Sequence, residues 1–149
     1  MIAASRVVAR DLCLLLDTSG SMGGAPLAQL ITFSVALVEG LRDGDRLELI
    51  EFSSRPTRWQ AEPIAIDPTR RAEAIRWLRA LRAGGGTAMH DAVLEAIRPL
   101  RAEAQRQVVL ITDGYVGFER KVIGGIRTRL PAGARIHTVG IGSAVNRTL

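Results

Sequence analysis

Three features of the sequence predict an α/β protein built on a doubly wound, mostly parallel open sheet with one short antiparallel edge strand. Short apolar runs, Leu12-Cys13-Leu14-Leu15-Leu16 and Val108-Val109-Leu110-Ile111, alternate with longer segments whose apolar residues recur at helical spacing. Both runs are apolar at every position, which suits strands covered on two faces. Each leads into an aspartate and turn residues, at Asp17 and Asp113. In open sheets ligands sit beyond the carboxyl ends of strands, where the strand order reverses. Asp17, Asp113 and Thr87, which opens a helix, are therefore expected at one crevice.

In chain order, the first strand is expected over about 8–16, running into Asp17. A helix follows from Pro26, a favoured first-turn residue, to Leu41. Leu27, Leu30, Ile31, Ser34, Val38 and Leu41 form one face, and Phe33, Val35 and Leu37 extend it, so this helix should be well buried. Asp43-Gly44-Asp45 is a turn. The partly alternating Arg46–Phe52 segment reads as a second strand, and Thr57 to Ile64, broken by Pro63, as a short edge strand.

Asp67 and Pro68 are the N-cap and first residue of a second helix, with Gly84 closing it and Ile75, Leu78 and Leu81 on its buried side. Met89, Ala92, Val93, Ala96, Ile97 and Leu100 give a third helix its stripe. A strand over 108–112, a glycine-weakened helix over about 118–130 and a last strand over 136–141 complete the pattern.

A chain of 149 residues with 47% hydrophobic residues has the length of one domain and material for a core. No apolar run approaches the roughly 18–20 residues of a membrane span, so no membrane insertion by this segment is expected. The start lacks the basic and apolar regions of a signal peptide. Either the chain works in the cytosol, or it is a segment of a larger protein of the cell envelope or exterior. The single cysteine, Cys13, lies in a buried-type strand and reads as inert core.

The net charge of +5 rests on nineteen arginines and one lysine. Arg76, Arg79 and Arg82 share a helix face without interleaved aromatics, which reads as a solvated face rather than a nucleic-acid surface. No nucleic-acid partner is expected.

Asp17, Ser19 and Ser21 put one carboxylate and two hydroxyls at alternate positions of a short loop. Such hard oxygens suit Mg²⁺, Ca²⁺ or Mn²⁺ better than zinc or copper(I). Taken alone, the run also reads as an ordinary polar turn, and Thr87 as a helix N-cap. The glycines Gly84-Gly85-Gly86 before Thr87 allow a sharp turn or a close approach.

Asp17-Thr18-Ser19-Gly20-Ser21-Met22, Gly85-Gly86-Thr87 and Thr112-Asp113-Gly114, in this order and spacing, resemble the von Willebrand factor type A domain over nearly the whole chain. The segments Gly44-Asp45-Arg46 through Phe52-Ser53-Ser54, and Val139-Gly140-Ile141-Gly142 to Asn146, are similar to the type A domains of the inter-alpha-trypsin-inhibitor heavy-chain group and its bacterial relatives. The resemblance implies a Rossmann-like fold and a metal-ion-dependent adhesion site. In that site Ser19 and Ser21 match hydroxyl ligands, and Thr87 matches a threonine that binds directly in some states. Asp17 and Asp113 match carboxylates that act directly or through water.

The resemblance further implies Mg²⁺, alternatively Ca²⁺ or Mn²⁺, and a protein partner whose Asp or Glu completes the coordination. It likewise implies a non-enzymatic adhesion or interaction module. The family also has a helix after the last strand, whereas this sequence ends at Arg147-Thr148-Leu149. A single domain over 1–149, lacking that helix and forming part of a larger protein, is expected. Two carboxylates on loops above the core should be removable without loss of the fold.

The rival reading is a Mg²⁺-dependent phosphatase-like hydrolase of the haloacid dehalogenase type, which also places Asp17 at a strand end. That chemistry needs a second aspartate two residues on, where Ser19 stands, and Lys121 is poorly placed for its phosphate-binding lysine. The sequence lacks a P-loop ending, a Gly-x-Gly-x-x-Gly run after a strand and a Gly-x-Ser-x-Gly run. His90, one turn beyond Thr87, reads as a surface residue, His137 as structural, and Asp91 as a support for the helix start or the site.

Overall fold

The computed structural model describes residues 10–87, 89–97, 105–113 and 134–141. In chain order the elements are β1 (Arg10–Asp17), α1 (Ala25–Glu39), β2 (Arg46–Phe52), β3 (Pro56–Arg58), β4 (Ile64–Ala65), α2 (Pro68–Arg79), α3 (Met89–Ile97), β5 (Gln105–Thr112) and β6 (Ala134–Gly140). A single 3₁₀ turn, Gly20–Met22, lies between β1 and α1. The helix expected over 118–130, the residues beyond Ile141 and the start of the first strand at 8 lie outside the described residues.

The strand order is β3-β2-β1-β5-β6, with β4 also on β2. β1 is central and parallel to β2 on one side and β5 on the other, and β6 continues the parallel run. The antiparallel edge expected over 57–64 is present as two short pieces, β3 and β4, both paired to β2. Pro63 falls in the break between them, where a residue without an N–H cannot extend a ladder.

Neighbouring residues of β1 feed opposite layers, as alternation along a strand requires. Leu14 and Leu16 join the core beneath α1 and α2 with Leu30, Val38, Leu78 and Ile111. Cys13 and Leu15 join the core beneath α3 with Phe52, Val93, Ala96 and Val108. Cys13 through Leu16 are all fully buried, and burying each leucine contributes about 1.5–3 kcal/mol. Cys13 is buried in the core, as expected, and burial pushes its thiol well above its ordinary range, helped by the negative charge of Glu48.

Two helices depart from expectation. α1 is not buried all round: Leu30, Ser34, Val35 and Val38 are buried, but Phe33 is 37% exposed. A helix lying on one sheet face covers only one stripe, and Phe33 lies off it. α2 starts as expected, with the Asp67 carboxylate accepting from the Arg70 N–H at 2.7 Å, but it ends at Arg79 with Ala80 as its cap rather than at Gly84. Gly84 serves another purpose, donating its N–H to the Thr18 carbonyl at 2.9 Å.

At the amino end of the sheet, Glu48 and Arg106 are both buried and paired beneath α3. Arg106 Nε also donates to the Ala96 carbonyl at 2.8 Å. Arg58 donates to the Glu95 carbonyl at 3.1 Å and to its carboxylate at 2.9 Å. The two guanidinium groups thus bond the carbonyls of Glu95 and Ala96, in the last described turn of α3.

Candidate metal centre

The chain leaves β1 through α1 to β2 on one side, then returns to β5 on the other side of β1. That reversal opens a crevice at the carboxyl ends of β1 and β5. Asp17 is the last residue of β1, and Asp113 directly follows β5.

Asp17 is 1% exposed, and both of its carboxylate oxygens are engaged. Oδ1 accepts from the Ser19 N–H at 2.9 Å and from the Ser19 hydroxyl at 2.5 Å. Oδ2 accepts from the Thr112 hydroxyl at 2.6 Å, which ties the ends of β1 and β5 together. Nearer the surface, the Ser21 hydroxyl donates to Asp113 Oδ1 at 3.1 Å. Ser19 Oγ and Ser21 Oγ lie 3.3 Å apart. Asp17, Ser19, Ser21 and Asp113 therefore form one connected group that runs from the buried strand end to an exposed serine.

The donor set suits a hard divalent cation. With each serine proton directed to a carboxylate, the two hydroxyl oxygens keep lone pairs and stand close together. Adjacent vertices of an oxygen octahedron lie about 2.9 Å apart for Mg²⁺ and about 3.4 Å for Ca²⁺, from their usual bond lengths. The Ser19–Ser21 spacing of 3.3 Å falls in that range. Among the described residues no three His, Cys, Asp or Glu side chains gather at one point, so a cation here would draw on hydroxyls as well as carboxylates. A cation would supply positive charge between two acidic side chains that otherwise repel.

Thr87 is exposed and stands outside the hydrogen bonds that link the other four. The loop before it is nevertheless fixed to the site. Gly85 accepts at its carbonyl from the Gly20 N–H at 3.0 Å, and Gly84 donates to Thr18. The Gly86 N–H donates to the Ser54 hydroxyl at 3.0 Å. Gly85 has φ of 83°, and a Cβ there would meet Ser54 Oγ at 2.9 Å, so glycine is needed both for its conformation and for the close approach.

Four of the five candidate residues thus touch one another in a chain, and the fifth sits two residues beyond a pinned turn. Asp17 does not stand above the core as expected: it completes β1 and is buried, because Ser19 and Thr112 replace the water it would otherwise hold. Thr112 and Ser54 stand in the quoted motifs without a role of their own, and both support the site. Thr112 could have been found from the parallel register, since Leu16 pairs with Ile111 and the next step sets Asp17 beside Thr112. Asp91 is exposed in the first turn of α3, and the His90 side chain lies outside the described residues. His137, expected to be structural, is exposed on β6, a strand that pairs only with β5 among those described.

Residues 11–149 match the family model of the von Willebrand factor type A domain. Among curated relatives, inter alpha-trypsin inhibitor, heavy chain 4 of Mus musculus is 26% identical over 152 residues, covering 93% of this chain and 16% of that protein. Heavy chain H3 of the same inhibitor from Mesocricetus auratus is 25% identical over 154 residues, covering 94% of this chain and 17% of the relative. The chain thus spans about a sixth of the length of these relatives. Among solved structures, manganese-loaded TRAP protein of Plasmodium vivax superimposes with a TM-score of 0.75 at 27% identity, over 95% of this chain and 60% of that one. A von Willebrand factor type A protein from Catenulispora acidiphila gives a TM-score of 0.73 at 20% identity, over 89% and 34% of the two chains.

Proposed function

This chain belongs to the von Willebrand factor type A domain family, and from that membership and the geometry of the crevice we infer a metal-dependent protein-binding module. Ser19, Ser21 and Thr87 offer neutral oxygens to the cation, while Asp17 and Asp113 balance its charge directly or through water. Mg²⁺ is the proposed resident ion, with Mn²⁺ or Ca²⁺ as alternatives. The similar TRAP protein, which is manganese-loaded, supports a divalent cation. Mg²⁺ dehydrates reluctantly and keeps waters, and one of these is the position that a partner's Asp or Glu oxygen would take.

The observation that carries this reading is the bond from Ser21 to Asp113, which brings the first and third motifs within reach of one ion. Without a cation, an incoming carboxylate would meet Asp17 and Asp113 and be repelled. With it, the same carboxylate completes the charge balance, so binding becomes conditional on metal.

The geometry supports the hydrolase reading less well. Asp17, which would have to attack phosphorus, is buried and holds hydrogen bonds on both oxygens. The position of the required acid is Ser19, whose proton goes to Asp17 itself. Incubation with a chromogenic phosphomonoester and Mg²⁺ should give no turnover above background.

The direct test immobilises the protein and offers candidate partner proteins in Mg²⁺ and in EDTA. Capture in Mg²⁺ alone, abolished by acid-to-amide substitution of one partner residue, is the expected result. Equal capture in EDTA would assign recognition to another surface.

A further inference from the structure

We propose that the cleft between the start of α1 and the end of α2 is a second recognition subsite, which takes another carboxylate of the same acidic partner segment. This rests on the metal-centre reading above and extends it from one acidic contact to two.

The cleft has a volume of about 540 Å³ and is bordered by Gly23, Gly24 and Ala83, with Leu81 in its lining and Arg79 and Arg82 as its charged residues. Ligand pockets commonly enclose about 300–1,000 Å³, so it has room for more than one side chain. It also adjoins the metal centre through both of that centre's loops. Gly23 lies two residues after Ser21, a step of at most about 7 Å. Ala83 precedes Gly84, whose N–H is bonded to the Thr18 carbonyl.

Charge selects the occupant. Both arginines are exposed, and among the described residues neither forms an ion pair. Among the described residues no Asp or Glu lines the cleft. Arginine presents a planar fork that matches a carboxylate with two parallel hydrogen bonds. Leu27 and Leu81 add apolar surface for the stem of an acidic side chain.

A partner in extended conformation advances about 3.3 Å per residue, with residues two apart on the same side. Acidic residues two to four apart could therefore reach the cation and the arginines together. The metal contact would supply the requirement for cation, and the arginines the preference for a particular acidic spacing.

The test uses synthetic peptides displayed at high density on a biosensor, so that weak single contacts register. One set carries a single Glu in a Gly background, and the others carry two Glu at separations of two to six residues. In Mn²⁺, the best-spaced pair should bind wild type about tenfold better than the single Glu, the size of one charge-assisted hydrogen bond. The Arg79→Ala/Arg82→Ala variant should lose that gain while keeping its affinity for the single-Glu peptide and for Mn²⁺. Arg76→Ala, an exposed arginine of α2 outside the cleft, should behave as wild type.

Metal-dependent binding of the single Glu with no Arg-dependent gain overturns the subsite alone. An equal loss in Arg76→Ala also overturns it, by reducing the effect to overall charge. Binding of every peptide unchanged in EDTA overturns the metal reading and the subsite with it.

Discussion

Ser21 and Asp113, 92 positions apart in the sequence, share a hydrogen bond of 3.1 Å across the crevice between β1 and β5. It is a surface contact between a neutral donor and a carboxylate, and by itself contributes only about 0.5–1.5 kcal/mol. A cation bound beside Ser21 Oγ would hold the same two loops with a stronger, multidentate link. At a hundredfold excess over its dissociation constant, a cation stabilises the folded state by about 2.7 kcal/mol. For a domain of this size that corresponds to roughly 5–11 °C. Melting curves in Mg²⁺ or Mn²⁺ should lie above those in EDTA by this amount, and superimposable curves at millimolar metal would remove the cation from the site.

The two carboxylates should respond differently to truncation. Asp113→Ala removes one contact with an exposed serine, so metal binding should be lost with little change in the EDTA melting temperature. Asp17→Ala removes the acceptor of the Ser19 N–H and of the Ser19 and Thr112 hydroxyls, which should cost about 1–3 kcal/mol for each buried donor that finds no other acceptor. Thr112→Val leaves Asp17 in place but frees Oδ2, and outer contacts of this kind typically change metal affinity by about 10–100-fold. Calorimetric titration with Mn²⁺, paired with denaturation in EDTA, separates these outcomes. Wild-type metal affinity in Asp113→Ala and Asp17→Asn would exclude both carboxylates.

The loop before Thr87 offers a test that touches no proposed ligand. Gly85→Ala forces an alanine to φ of 83° and sets its Cβ 2.9 Å from Ser54 Oγ. Left-handed backbone costs a non-glycine residue about 1–2 kcal/mol, and the serine must also move. The variant should lose about that much stability. It should also bind metal more weakly, because the displaced turn carries Thr87. Gly84→Ala has open space around its new Cβ and no left-handed strain, so it should be the milder change. Equal stability of the two variants would contradict the close-approach account.

How far the site could be read from sequence depends on what kind of information fixes each part. Asp17, Ser19 and Ser21 are neighbours in the chain, so their alternation on one loop was legible directly. That Asp113 joins them followed from strand ends in a parallel sheet, which the fully apolar runs before Asp17 and Asp113 announced. The burial of Asp17 was not legible, because it depends on Thr112, a partner 95 residues away whose hydroxyl has no local signature. The end of α2 is not legible for a similar reason: Gly84 looks like a helix stop but is held by Thr18. The exposure of Phe33 is not legible either, because a mostly apolar helix does not disclose which stripe the sheet will cover. Glu48, in an alternating strand, gave no sign that Arg106 would be buried beside it.

Cys13 should be chemically silent in the native state. It is fully buried, and burial together with the charge of Glu48 raises its pKa. Thiolate is the reactive form, so a disulfide reagent at mildly alkaline pH should modify it only after unfolding. Its labelling rate across a denaturant series should track the global transition. Rapid labelling of the native protein would mean that the layer beneath α3 opens locally.

The buried pair of Glu48 and Arg106 should be needed for the fold in an unequal way. Arg106 both neutralises Glu48 and donates to the Ala96 carbonyl near the end of α3. Arg106→Ala removes both functions and leaves the buried Glu48 carboxylate with Arg58, 3.4 Å away, as its remaining cationic partner, so the expected cost is at most that of a fully broken buried pair, about 3–5 kcal/mol. Glu48→Gln removes the charge but keeps an acceptor, and Arg58 can still pair with Glu95, so its cost should be smaller. A double change of Glu48 and Arg106 to Met should recover part of the loss of Arg106→Ala, because a buried charge held by Arg58 alone is gone, although the Ala96 carbonyl stays without its guanidinium. The order of denaturation midpoints should therefore be wild type, Glu48→Gln, the double Met variant and Arg106→Ala. A double Met variant as unstable as Arg106→Ala would locate the energy in the helix-end contact rather than in the ion pair.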